Sequence, residues 1–203
     1  MQNNWKRNII RTILLTIFAL SASAQNWKYV KEKEGIRLYT RQEVKKGLKI
    51  FKGVAEVEAS ADKVFAMLED VNHTEWWTKD VTQIKVLHYE KDKLAQCYLV
   101  YSVLWPFMDR DLCVNVTATN NSLTGERKLT AVPLIGILPE NESLVRIKDY
   151  KEEWIIRPIN NNRSHVELEF YLNPGSNLPN WLINMVLGDA PINTIKAVRL
   201  NVK

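Results

Sequence analysis

The residue with the clearest chemical character lies in the stretch Asp109–Thr119. Arg110 shares its alternation with Leu112, Val114, Val116 and Ala118, whereas Asp111 falls on the other side. Alternate residues of a strand share a face, so Arg110 is predicted to point toward the covered face of a sheet. A guanidinium placed there needs a carboxylate or the polar head of a ligand. The preceding segment, Leu94–Leu104, offers Tyr98 as an inward neighbour and no acid. That favours a ligand group as the partner, with the alternative that Arg110 ends its strand and reaches to solvent.

Other chemistries find no support. The chain has no G-x-S-x-G, no H-E-x-x-H and no glycine-rich phosphate loop. His73, His88 and His165 fall in separate elements, and no Ser, His and Asp set suggests a triad. Two cysteines without matching Cys or His spacing do not make a zinc site. No catalytic residue, metal or cofactor is therefore expected. Cys97 and Cys113 lie on consecutive predicted strands, and the register decides whether they can bridge.

The elements that must position Arg110 are mostly strands. Alternation predicts them over Gly35–Arg41, Leu48–Ala59, Val81–Tyr89, Leu94–Leu104, Asp109–Thr119, Glu126–Leu134, Leu144–Tyr150, Glu152–Ile159 and Ser164–Leu172. A helix over Ala61–Val71 starts at the N-cap Ser60 and faces inward with Val64, Phe65, Leu68 and Val71. The chain ends in a long apolar-faced helix from Leu178–Asn180 onward, with Pro191 expected to kink it near Gly188–Asp189. Consecutive strands on short turns are antiparallel neighbours. A twisted sheet of this size curls, and the terminal helix is the one long apolar element available to cover it. Trp181, Leu182 and Met185 on that helix either close one end of the enclosed space or form ordinary core. Asp189, beside the kink, meets freed backbone, a ligand or solvent. The apolar loop Pro133–Pro139 is either a lid that touches a membrane or a segment folded under the sheet.

The chain has 203 residues, 46% hydrophobic and 25% charged, which are ordinary values for one globular domain. Lys6, Arg7 and Arg11, the apolar run Ile13–Leu20, and Ala22-Ser23-Ala24 before Gln25 form the three parts of a secretory signal peptide. Residues 1–24 are thus expected to be removed, leaving residues 25–203 as the domain, in the periplasm or outside the cell. The leader carries three of the 28 basic residues and none of the 23 acids, so the formal charge falls from +5 to +2. That gives no case for a nucleic-acid partner.

The residues also carry a resemblance. In order, they are Gly35-Ile36 with Tyr39, Phe51-Lys52-Gly53, Ser60-Ala61-Asp62, Trp77, Ile84-Lys85-Val86-Leu87, and Trp105-Pro106 followed by Arg110-Asp111. Then come Val145-Arg146, Trp154 with Pro158, Asn173-Pro174-Gly175, and Leu178-Pro179-Trp181-Leu182-Asn184. Together they resemble the START domain, a helix-grip lipid-transfer fold related to the Bet v 1-like proteins and polyketide cyclases. The chain departs from the pattern in lacking the extra N-terminal helices of longer members, and in Asn173 and Ser176, where the turn often reads Asp-Pro-Gly-Gly. The resemblance implies an α+β fold, with a curved antiparallel sheet around a kinked terminal helix. It further implies a monomer holding one lipid or sterol-like molecule, with transient membrane contact and no catalysis. The implied ligand-binding set is Arg110, Tyr98, Val100, Trp105, Val114, Trp154, Trp181, Leu182, Met185 and Asp189. A cyclase-, aromatase- or hydrolase-like enzyme on the same fold is the alternative. It requires at least two titratable groups besides Arg110 in the cavity. An adaptor with a side-chain-filled cavity is a third reading.

Overall fold

Ten strands form a single sheet in the computed structural model, which describes residues 27–42, 47–74, 76, 81–103, 107–175 and 178–202. The leader expected over residues 1–24, Trp77 and Trp105 lie outside the described residues. The strands are β1 (Lys28–Lys33), β2 (Ile36–Gln42), β3 (Lys49–Val57), β4 (Val81–Glu90), β5 (Leu94–Tyr101), β6 (Arg110–Asn120), β7 (Arg127–Pro133), β8 (Val145–Arg146), β9 (Asp149–Asn160) and β10 (Arg163–Asn173). Their order is β1-β2-β3-β10-β9-β7-β6-β5-β4, and every pair along it is antiparallel. The short β8 lies parallel to the start of β6.

Two strands differ from expectation. β1 is absent from the sequence reading because its six residues, Lys-Tyr-Val-Lys-Glu-Lys, are all exposed and show no apolar alternation. It is an edge strand of the charged kind that resists further pairing. The two strands expected on either side of Lys151 are instead one, β9, which runs through it. The break falls earlier, where Val145 and Ile147 donate N–H bonds to the carbonyls of Asp109 and Asp111 before the chain turns to pair with β7 and β10.

Helix α1 (Ala61–Glu69) is capped by Ser60, whose hydroxyl accepts from the Lys63 N–H at 3.3 Å. It stops two residues short of Val71 because the Asp70 carboxylate accepts from the Asn72 N–H at 2.9 Å and pairs with His73 at 2.7 Å, a local bonding pattern that competes with the helix. The terminal helix is two helices, α2 (Asn180–Val186) and α3 (Ala190–Asn201), joined by a 3₁₀ turn over Leu187–Asp189. The break lies where it was expected, but its cause is different. Pro191 sits in the first turn of α3, where its missing N–H has no helical partner to lose. Proline here starts a helix and does not interrupt one.

Helices α1 and α3 cover one face of the sheet. Val64, Phe65, Ile192, Ile195 and Val198 pack with Ile36, Leu38, Trp154, Val166 and Leu168 in the larger core. The approach of α3 to β3 depends on Gly53. A Cβ on Gly53 would lie 2.8 Å from Ile195 Cδ1 and 3.0 Å from Pro191 Cβ. At the far end of α3, Arg199 donates to the carbonyls of Glu34 at 2.6 Å and Glu56 at 3.0 Å, fastening the helix to the β1–β2 turn and to β3. The opposite face of the sheet is polar. It carries ion pairs such as Arg41–Glu169 at 2.5 Å and Lys128–Glu153 at 3.0 Å, and Trp27 stacks near Arg41 and Lys52.

Candidate ligand cavity

The strand register fixes which side chains share the helix-covered face. Tyr101 pairs with Arg110, Leu99 with Leu112, Cys97 with Val114 and Ala95 with Val116. Val116 pairs with Ala131, which pairs in turn with Glu152 on β9, and Leu129 pairs with Trp154. Because Trp154, Leu129 and Val114 belong to the core on this side, Arg110, Tyr101, Tyr150 and Glu152 share it.

At the β4–β6 end of this face the core is not filled. A half-open cleft with a cavity volume of about 50 Å³ lies between the end of α1 and the sheet. Leu68, Val71, Ile84, Ala95, Val116 and Leu129 line it, and Glu69, Glu90 and Lys93 form its rim. Val114 and Cys97 also line it, and burial pushes the Cys97 thiol up to about 11, so it behaves as an apolar group. Across Ala131 from Val116, two pairings away, the face becomes polar. Glu152 accepts from the Tyr150 hydroxyl at 2.6 Å and from the Trp154 indole N–H at 2.6 Å, one bond to each carboxylate oxygen. Burial pushes the Glu152 carboxyl above its ordinary range, against the two donors that pull it down. Burial and the nearby Glu152 charge also push the phenols of Tyr101 and Tyr150 up. Tyr150 and Glu152 nonetheless keep some accessible surface. Both lie on the helix-covered face, so that surface is turned toward the space under the helices.

Arg110 is 3% exposed and is engaged with backbone. Its Nε donates to the Pro174 carbonyl at 3.3 Å, and a second nitrogen donates to the Met108 carbonyl. Burial lowers its pKa, with Asp109 opposing. It therefore caps the turn after β10. The strand phase of Arg110 is as read from the sequence, but its partners are the backbone carbonyls of Met108 and Pro174 in place of the expected carboxylate or ligand head.

Of the other candidates, Val114 lines the cleft and Trp154 holds Glu152. Tyr98 and Val100 do not face the cavity. They pair with Cys113 and Asp111, on the far side of the sheet from Arg110, and the inward tyrosine of β5 is Tyr101. The same register puts Cys97 and Cys113 on opposite faces, and both are free thiols. Trp181 and Met185 do not close the tunnel. They are 67% and 64% exposed, because the buried face of α2 is centred on Ile183 and residues two away on a helix point elsewhere. Leu182 is half-buried beside Ile183. Asp189 pairs with Lys31 of β1 at 2.5 Å and takes no part in the cavity.

On the far face, Asp111 is fully buried and paired with Arg146 through two 2.8 Å bonds. Arg146 also donates to the carbonyls of Leu138 and Pro139, which ties the Pro133–Pro139 loop down by its backbone while Ile135 and Ile137 stay exposed. The residues that sequence reasoning missed are Tyr101, Tyr150 and Glu152. Their signal was the alternation Tyr150, Glu152, Trp154, Ile156, which a break placed at Lys151 conceals. The enzyme alternative required two or more titratable groups besides Arg110 facing the cavity; these three share its face, although none of them lines the cleft itself.

Comparison with known proteins agrees with this architecture. The chain is 29% identical to an uncharacterized protein of Pseudomonas aeruginosa, over 95% of this chain and 96% of the other. It is 24% identical to the phosphatidylcholine transfer protein of Mus musculus, over 84% and 81% of the two chains. Among solved structures, a STAR-related lipid transfer protein of Xanthomonas axonopodis superposes with a TM-score of 0.79 at 29% identity, covering 88% of this chain and 99% of that one. Human StAR-related lipid transfer protein 5 shares the fold, with a TM-score of 0.75 at 14% identity over 99% and 98%. An aromatase/cyclase of Streptomyces shares it more distantly, at 0.52 and 13% over 75% and 92%. With residues 57–199 matching its description, the chain belongs to the polyketide cyclase/dehydrase and lipid transport family and has the START helix-grip fold.

Proposed function

We propose that this protein binds and transfers a lipid or sterol-like amphiphile without altering it. The observation that carries this reading is the shared inner face, on which a small apolar cleft and a polar cluster at Glu152 lie on either side of Ala131. Burial of an acyl or sterol surface in such a cleft contributes roughly 25 cal/mol per Å² removed from water. The lipid-transfer names of the Xanthomonas and mammalian relatives support the same reading. The protein acts as a monomer in the periplasm or outside the cell after cleavage before Gln25, and it touches membranes transiently to load and unload.

Native mass spectrometry of protein purified gently from its periplasmic fraction tests each part. The expected spectrum is a single-copy chain starting at Gln25 with a reproducible lipid adduct. An empty chain that takes up no lipid from vesicles overturns the binding reading. A second reading, a cyclase- or aromatase-type enzyme, is favoured by one observation, the convergence of Tyr101, Tyr150 and Glu152. The same spectra separate the two: a carrier returns its ligand with unchanged mass, and an enzyme returns an altered one.

A further inference from the structure

Glu152 is a carboxylate held in the interior with nothing of opposite charge facing it. Its two hydrogen bonds come from neutral donors, and no cationic side chain reaches it among the described residues. Of the cations on the same inner face, Arg110 is spent on the carbonyls of Met108 and Pro174, and Arg127 pairs with Asp62 at 2.8 Å. An uncompensated carboxylate inside a protein is costly to keep. A purely apolar cargo gains nothing from it, since Leu or Gln would fill the same place at lower cost. Tyr150 and Trp154 each have one polar hydrogen, and both hydrogens are used on Glu152. These two residues thus fix the carboxylate's orientation and leave no free donor of their own for a ligand. What remains free is acceptor capacity, the second lone pair on each oxygen, on the same inner face as the rings of Tyr101 and Tyr150, which pack against one core cluster. Acceptors and an aromatic ring match a cation that carries N–H groups.

We propose that Glu152 makes the cavity selective for amphiphiles whose head bears a protonated amine, the amine sitting on the Glu152 carboxylate and the tail running past Ala131 and Val116 into the cleft. This rests on the lipid-binding reading and specifies the cargo's chemical class. The amine is recognised as such, whether it belongs to a lipid headgroup or to a single-chain amine.

The test uses three probes with one tail, dodecylammonium, dodecanol and dodecanoate, each titrated calorimetrically below its micelle concentration into the full chain and into Glu152→Gln. Charge-assisted hydrogen bonds are roughly twice as strong as neutral ones, so one-site binding of dodecylammonium is expected to be about tenfold or more tighter than that of dodecanol, with dodecanoate weakest. In Glu152→Gln that preference is expected to vanish while dodecanol binds as before. Equal affinities in the unsubstituted protein overturn the proposal and leave lipid binding standing, as does a preference that survives the substitution. Failure of all three probes to bind overturns the proposal and the binding reading together. The ranking in the unsubstituted protein needs no variant, so misfolding of Glu152→Gln would not shelter the idea.

Discussion

Glu152 shows how a single side chain sets a protein's response to pH. Its carboxyl is pushed above the ordinary value of 4.5 by burial, and the groups facing it are the phenols of Tyr101 and Tyr150 and the indole of Trp154. Both phenols are pushed up and stay neutral through the acid range, so the carboxyl is the group there that titrates. With a folded-state pKa above the unfolded one, the native state holds its proton where the unfolded chain has released it. Stability contributed by the neutral form is therefore complete below pH 4.5 and is lost as pH rises through the folded value, at about 1.4 kcal/mol per unit of difference. Glu152→Gln is neutral throughout and removes that slope. Urea unfolding of the two forms from pH 4 to pH 8 is expected to show the variant gaining stability relative to the parent toward the alkaline end. Parallel curves would show that the carboxylate is already compensated in the folded chain.

At the scale of elements, the fit between α3 and β3 governs whether the cavity has a roof. Gly53 is the point of closest approach, and a methyl group there meets Ile195 at 2.8 Å. That is overpacking of a buried contact, and Gly53→Ala is expected to cost about 1–3 kcal/mol. Thermal unfolding measures it; an unchanged midpoint would mean that the helix can shift outward freely. The resemblance contains Gly53, yet its reason was not readable, because a contact between a strand and a helix more than a hundred residues later leaves no local pattern. The alternation of β2 and β10 was readable, since each buries one face, and that of β6 from its apolar phase, although its first five residues are buried on both faces. β1 was not, having no buried face, and neither was the register, which decides that Tyr101 and not Tyr98 shares a face with Arg110. Arg110 and Val114 were legible from phase within one strand. Glu152 needed the correct limits of β9, and Trp181 and Met185 needed the rotation of α2, which the apolar spacing of a short helix leaves ambiguous.

For the whole molecule, the proposed carrier function raises the question of how an interior cargo would reach a membrane. Trp181, Met185 and Val186 stand exposed on α2, while Ile183 alone of that helix is buried and Asn184 ties it to β3 through the Lys49 N–H at 3.0 Å. A helix with one buried side chain and its large apolar groups outward is suited to rest on a bilayer interface. Electrostatics contributes little to such a contact, since the chain after residue 24 carries a formal charge of only +2. Long-range attraction to anionic lipid is correspondingly weak and screened within about 8 Å at physiological salt. Transfer of a fluorescent lipid between vesicles is thus expected to depend on apolar area more than on charge. The double substitution Trp181→Ser, Met185→Ser should slow it several-fold, because each group withdrawn forfeits about 1.5–3 kcal/mol of burial at most and interfacial contact realises part of that. Neither residue faces the cavity, so the lipid already bound in solution should stay bound. Raising the salt should change the parent's rate by less than about twofold, as expected for a contact made by few charges. A steep salt dependence, or a double variant that transfers as fast as the parent, would place the membrane contact elsewhere on the surface, with the exposed Ile135 and Ile137 the next site to substitute.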